Sequence, residues 1–235
     1  NVIEIDHAKK VKNFYYKNIV TDNNNTKWLD GNGEVYSFDN RSWTKHDSIK
    51  AGVSSTYNIL KNDNTNELFF CSNKGLAIYN QGTWKNLNKK NLVNLPSDRV
   101  KFAQRDSKNR LWIGTFDGSA MIDENNVLVN FEKGETVLKG KCITSMAEDE
   151  NGNLYFSLYE FNPKDFKNRN EGIAVRYTDG TIKQLTTENS GLPNNDTSEV
   201  KDFTADMVSG FDNAIVGDQT LTVAYGGKST TYNIE

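Results

Sequence analysis

Arg105-Asp106-Ser107-Lys108-Asn109-Arg110-Leu111-Trp112-Ile113-Gly114-Thr115-Phe116-Asp117-Gly118 reads as a polar turn, a short aromatic strand, a second turn and the start of another strand. Asp and Asn side chains bond to their own backbone in tight turns, and Gly accepts positive φ there. The stretch decides the fold because the chain returns to it. Asp22, Asp63, Asp106 and Asp149 each precede a large aromatic by six residues (Trp28, Phe69, Trp112 and Tyr155), at spacings of 41, 43 and 43. Gly33, Gly75 and Gly118 follow in the first three copies, each ahead of a strand-like run at 34–38, 76–79 and 119–122. Further runs precede the acidic residue, at 57–60, 100–103 and 143–146, and a fourth set lies at 42–44, 83–85, 127–129 and 181–185.

The last two copies depart from this pattern. In the fourth, Gly172 arrives late, after an insertion within 159–171. In the fifth, residues 200–203 and Asp206 are separated by residues 207–216 from the strand-like runs 220–224 and 230–232, with Gly227 between those runs. Four short strands repeating every 40 to 45 residues or so are the mark of propeller blades. Leucine-rich, ankyrin and tetratricopeptide repeats are shorter and carry helical periodicity. The expectation is an all-β protein: a single domain forming one five-bladed β-propeller of four-stranded blades. The blades fall at approximately 13–50, 51–93, 94–137, 138–190 and 191–235, and the recurring aromatics Trp28, Phe69, Trp112 and Tyr155 belong to the core. Val2-Ile3-Glu4-Ile5 alternates like a strand, so residues 1–6 are expected to supply the outer strand of the last blade. That would close the ring and hide its open edges.

Composition narrows the partners. With 235 residues, a net charge of -3 and scattered basic residues, the chain lacks a nucleic-acid footprint. It contains no apolar run of the roughly 18 to 20 residues that would span a bilayer. It begins with Asn1 rather than Met, which is read as removal of an N-terminal targeting segment. Cys71 and Cys142 lie in strand-like runs and are expected to be small buried apolar residues rather than a disulfide.

The stretch Asp106-Ser-Lys-Asn-Arg-Leu-Trp-Ile-Gly-Thr-Phe-Asp-Gly118 resembles the repeat of the two-component-regulator propellers of bacterial periplasmic sensors. Asn94-Leu-Pro-Ser-Asp-Arg-Val100 and Ser190-Gly-Leu-Pro-Asn-Asn195 resemble that family's connector between blades. The resemblance implies a β-propeller in a periplasmic or secreted setting, often in glycan-responsive bacteria. The chain departs from such sensors in lacking kinase, membrane and DNA-binding segments and in having fewer blades. A stand-alone, monomeric, sensor-like binding module is the expectation.

Candidate chemistry is sparse. His7 and His46 are the only histidines, and neither belongs to a motif of known catalytic spacing. Asp149-Glu-Asn-Gly-Asn153 with Glu160 mimics part of a calcium loop, yet Leu154 stands where an EF-hand needs Gly. It is read as a capped turn, with no metal and no cofactor. In propellers the connections between blades, and those between second and third strands, fall on one face where ligands dock; this placement rests on fold analogy. It assigns Asp98, Arg99, Lys141 and Glu199 to one rim. The same rim takes the inserted segment with Tyr159, Phe161, Lys164, Phe166, Lys167 and Arg169. Long loops without secondary structure are commonly functional or mobile, and this mixture suits a sugar, an anionic glycan or a peptide. Tyr57, Lys101 and Lys201 begin inner strands near the channel mouth, where the two lysines could hold an anion. The expected function is non-enzymatic binding of a glycan, peptide or protein partner. The alternative is a glycosidase or lyase pairing Asp98 with Glu199 or Asp165, since glycoside hydrolysis needs two facing carboxyl groups.

Overall fold

The computed structural model describes residues 16–31, 33–47, 52–132, 136–162, 167–193, 195, 208–209, 219–225 and 228–234 of the chain. For residues 16, 161–162 and 167–169, and for the strands after 207, the description is of backbone alone. Every element among the described residues is a strand. β1 (Tyr16–Thr21), β2 (Lys27–Gly31), β3 (Glu34–Phe38) and β4 (Trp43–His46) form the first antiparallel sheet, in chain order. β5 (Thr56–Lys61), β6 (Leu68–Ser72), β7 (Gly75–Asn80) and β8 (Thr83–Leu87) form the second. The third holds β9 (Val100–Arg105), β10 (Leu111–Thr115), β11 (Gly118–Ile122) and β12 (Leu128–Asn130). The fourth holds β13 (Cys142–Glu148), β14 (Leu154–Asn162), β15 (Lys167–Arg176) and β16 (Ile182–Leu185). A three-stranded sheet, β17 (Val208–Ser209), β18 (Gln219–Tyr225) and β19 (Lys228–Ile234), follows. The four-stranded antiparallel sheets are those of a β-propeller. The segments 1–6 and 200–203, on which the expected ring closure and the fifth inner strand were placed, lie outside the described residues. β17 falls within 207–216, which the sequence reads as an insertion, and pairs with β18 through Val208↔Val223 and Ser209↔Thr222.

The first four sheets pack through their inner strands, β1 against β5, β5 against β9 and β9 against β13. Alternate residues of a strand point to opposite faces of its sheet. A middle strand between two neighbouring sheets is therefore buried on both faces, as β6 and β10 are along their whole length. One apolar cluster fills each interface. Trp28 packs on Phe70, with centroids 6.0 Å apart, between the first and second sheets. Phe69 and Ile113 share the next cluster. Trp112 lies 4.7 Å from Phe156 between the third and fourth sheets. The recurring aromatic of one sheet thus meets the following residue of the next. Three of the four expected core aromatics are buried, and Tyr155 is the correction: it is 37% exposed while Phe156 is fully buried. Tyr155 turns to the opposite face, its hydroxyl 3.2 Å from Asp149 Oδ2.

The polar turns behave as their composition requires. Asp106 Oδ1 accepts from the amides of Lys108 and Arg110, and Oδ2 accepts from Arg110 Nε at 2.6 Å and Trp112 Nε1 at 2.9 Å. Asp22 repeats the pattern, accepting from the amides of Asn24 and Thr26 and from Trp28 Nε1. In the second copy Asn62, not Asp63, holds this buried place and accepts from the Asn64 amide. The turn there is one residue longer, closed by Asn66 N to Asn62 O rather than by Asn25 N to Asp22 O. Asp63 is left on the surface, paired with Lys61. At Gly114 a Cβ would sit 1.8 Å from the Ile143 carbonyl oxygen, so only glycine lets the third and fourth sheets approach this closely.

Candidate functional site

The rim is built where the inner strands begin and where the turn between β10 and β11 rises beside them. Phe116 occupies that turn, its amide bonded to the Arg99 carbonyl at 3.0 Å. That bond places the ring over the start of β9. Tyr57, at the start of β5 and 38% exposed, lies 5.2 Å from the Phe116 centroid. Tyr159, nearly buried on β14, meets Phe116 edge-on at 6.3 Å. Two cations close the group. The Arg99 guanidinium stands 5.0 Å from the Phe116 centroid and donates to Asp117 Oδ1 at 2.9 Å. Lys101 Nζ lies 4.3 Å from the Tyr159 centroid and 5.7 Å from that of Phe116. Both distances fall inside the ~6 Å range in which a ring face attracts a cation. The Arg99–Asp117 pair is solvent-exposed, so it orients more than it stabilises, contributing about 1 kcal/mol or less.

Beneath the cluster lies a buried thiol. Burial pushes Cys142 up to about 12, tempered by the positive charge of Lys101. Burial, helped by the neighbouring Cys142, also raises the Tyr159 phenol, while Arg99 opposes the shift. Both cysteines are free and buried, in keeping with the apolar role expected of them.

Four of the residues assigned to the rim, Tyr57, Arg99, Lys101 and Tyr159, come together around Phe116. Others are occupied elsewhere. Asp98 Oδ1 accepts the Lys89 amide at 2.6 Å and so caps the connector between sheets. Lys141 Nζ lies 2.9 Å from Gln184 Oε1 and 3.4 Å from Glu171 Oε2. Phe161, Lys167 and Arg169 are placed by backbone alone, on β14 and β15. Lys164, Asp165, Phe166, Glu199 and Lys201 lie outside the described residues. Most of the segment read as a structureless loop is strand: β14 and β15 continue past the blade through Tyr159↔Asn170, Glu160↔Arg169, Phe161↔Asn168 and Asn162↔Lys167. Phe116 and Asp117 are the rim residues that sequence reasoning missed. Their signal was available, because the equivalent turn of the second sheet carries Asn73 where this copy has an aromatic.

Residues 94–117 match the family model described as a two component regulator propeller. No curated protein matches the chain. Among solved structures, the chain is similar to PorZ, a surface component of the type-IX secretion system of Porphyromonas gingivalis. The TM-score is 0.57 at 16% identity, over 92% of this chain and 32% of that one. It is similar to the extracellular domain of a putative hybrid two component system from B. thetaiotaomicron, with a TM-score of 0.57 at 14% identity over 97% and 31%. A streptogramin B lyase gives a TM-score of 0.54 at 10% identity over 95% and 70%. At these identities the likeness is one of fold, and the chain spans about a third of the length of the first two.

Proposed function

We propose that this chain, a propeller carrying the two component regulator propeller repeat, is a non-enzymatic, extracytoplasmic binding module that takes a glycan or peptide ligand at its rim. One observation carries the reading: Tyr57, Arg99, Lys101 and Tyr159 converge on Phe116 at the mouth formed by the inner strands. Aromatic faces with a few placed polar groups are what ligand sites are made of. Three rim carboxylates support binding over catalysis, because they are committed: Asp98 to the Lys89 amide, Asp117 to Arg99 and Glu171 to Lys141. The extracellular setting of the B. thetaiotaomicron structure supports the placement outside the cytoplasm.

A finer architecture belongs to this proposal. The sheet β17–β19 is three strands of a fifth blade, and residues 1–6 complete it and close the ring. In support, Val20 and Trp28 face the second sheet while Ile19, on the other face of β1, is 67% exposed and offers apolar surface to a closing blade.

Thermal shift against glycan and peptide collections tests the function. A binder should raise the melting temperature of the intact chain, and Phe116→Ala should abolish the shift. Silence towards both classes, or a shift that survives Phe116→Ala, rejects the rim as the site.

A further inference from the structure

Above Tyr159 the fourth sheet narrows. β13 pairs with β14 no further than Cys142↔Tyr159, whereas β14 runs on to Asn162 against β15. Over Glu160–Asn162 the hairpin is two strands wide. Its inner edge, the side that β13 occupies lower down, pairs with no strand among the described residues. Such an edge presents a row of main-chain N–H and C=O groups, and an extended peptide satisfies them by adding a strand.

This edge starts one residue beyond Tyr159, whose ring Lys101 Nζ touches at 4.3 Å. Lys101 makes no hydrogen bond or ion pair among the described residues; its ammonium meets only the faces of Tyr159 and Phe116. Two rim cations near it do have a carboxylate, Arg99 that of Asp117 and Lys141 that of Glu171. A half-buried ammonium with no counter-ion among the described residues, beside a strand edge that none of them pairs, is complementary to an acid carried on an extended backbone.

We infer that the rim takes an extended acidic peptide. Its main chain adds to the edge of Glu160–Asn162, one Asp or Glu side chain reaches Lys101, and an apolar neighbour packs on Phe116 and Tyr57. A glycan supplies no main-chain donors and acceptors at strand spacing, so it would leave the edge unmet. The inference rests on the reading of this rim as the ligand site, and narrows it to one class.

The test uses the intact chain and an array of seven-residue peptides with a central Glu on alternating Val and Thr. Peptides of this class should bind. The best of them should lose roughly tenfold or more in affinity on Glu→Gln in the peptide or Lys101→Met in the protein, as for loss of a charged hydrogen bond. N-methylation of alternate peptide amides should weaken it comparably, and Lys85→Met, in the groove beside Glu67 and Arg105, should leave it unchanged. Binding that tolerates N-methylation overturns strand addition. Binding of uronic-acid oligosaccharides in a Lys101-dependent way, with no peptide bound, overturns the peptide while the rim stands. Silence towards both classes removes the rim reading together with the inference.

Discussion

Trp112 is held on several sides: its indole N–H donates to Asp106, and its ring stacks on Phe131 at 5.6 Å and tilts against Phe156 at 4.7 Å. Removing that ring leaves a cavity between two sheets and takes one of two donors from a buried carboxylate oxygen, which keeps Arg110 Nε. Trp112→Ala should therefore cost about 3–5 kcal/mol in urea unfolding, whereas Tyr155→Ala, at a half-open position, should cost about 0.5 kcal/mol. Equal losses would mean that the two residues had been assigned to the wrong faces. Cys142 gives a pH-dependent prediction. Its thiol sits at about 12 in the fold against an ordinary 9.0, so the folded protein keeps a proton that the unfolded chain releases. Stability from this group is whole below pH 9.0 and is lost as the pH climbs towards 12. Across that window wild type should lose about 1.4 kcal/mol more per pH unit than Cys142→Ala. Parallel curves for the two proteins would place the thiol in contact with water.

At the scale of elements, the sequence is legible wherever a strand repeats its sisters and obscure where it does not. The runs 34–38, 119–122 and 220–224 fall on β3, β11 and β18 because alternating or apolar residues between Asn, Asp and Gly turns leave few other options. Asp63 misleads by one place: an acid and an amide can both cap a turn, and only the longer turn after Asn62 shows which of them is buried. The hairpin β14–β15 reads as a loop in the sequence because Asn, Lys and Asp dominate its outer part, and propensity cannot register cross-strand pairing. Rim chemistry was half visible. Lys101 and Tyr57 stand out by their place at strand starts, while Phe116 is hidden in the repeat that it departs from. Its role appears only when the turn between β10 and β11 is folded against β9, 3.0 Å from the Arg99 carbonyl.

For the whole molecule, stability is shared among like interfaces, each with an apolar cluster and a polar tie. Asn23 bonds to Asn66 and Asp63 across the first interface, Arg105 grips Glu67 through Nε at 2.7 Å and Nη2 at 3.2 Å across the second, and the Ser107 amide donates to Glu148 across the third. A series of sheets joined only to their neighbours has two weak ends, and a ring has none. This difference makes the proposed closure testable without a ligand. If residues 1–6 complete a fifth blade, deleting residues 1–8 removes a strand and exposes both ends of the series together. Even ~3 kcal/mol lost in this way should lower the melting temperature of a chain this size by roughly 6–12 °C. The truncated protein should also unfold less steeply, because the sheets no longer open as one cooperative unit. Calorimetry on the two chains decides the point: unchanged melting would mean that the segment lies outside the ring and that closure, if present, uses the sheets alone.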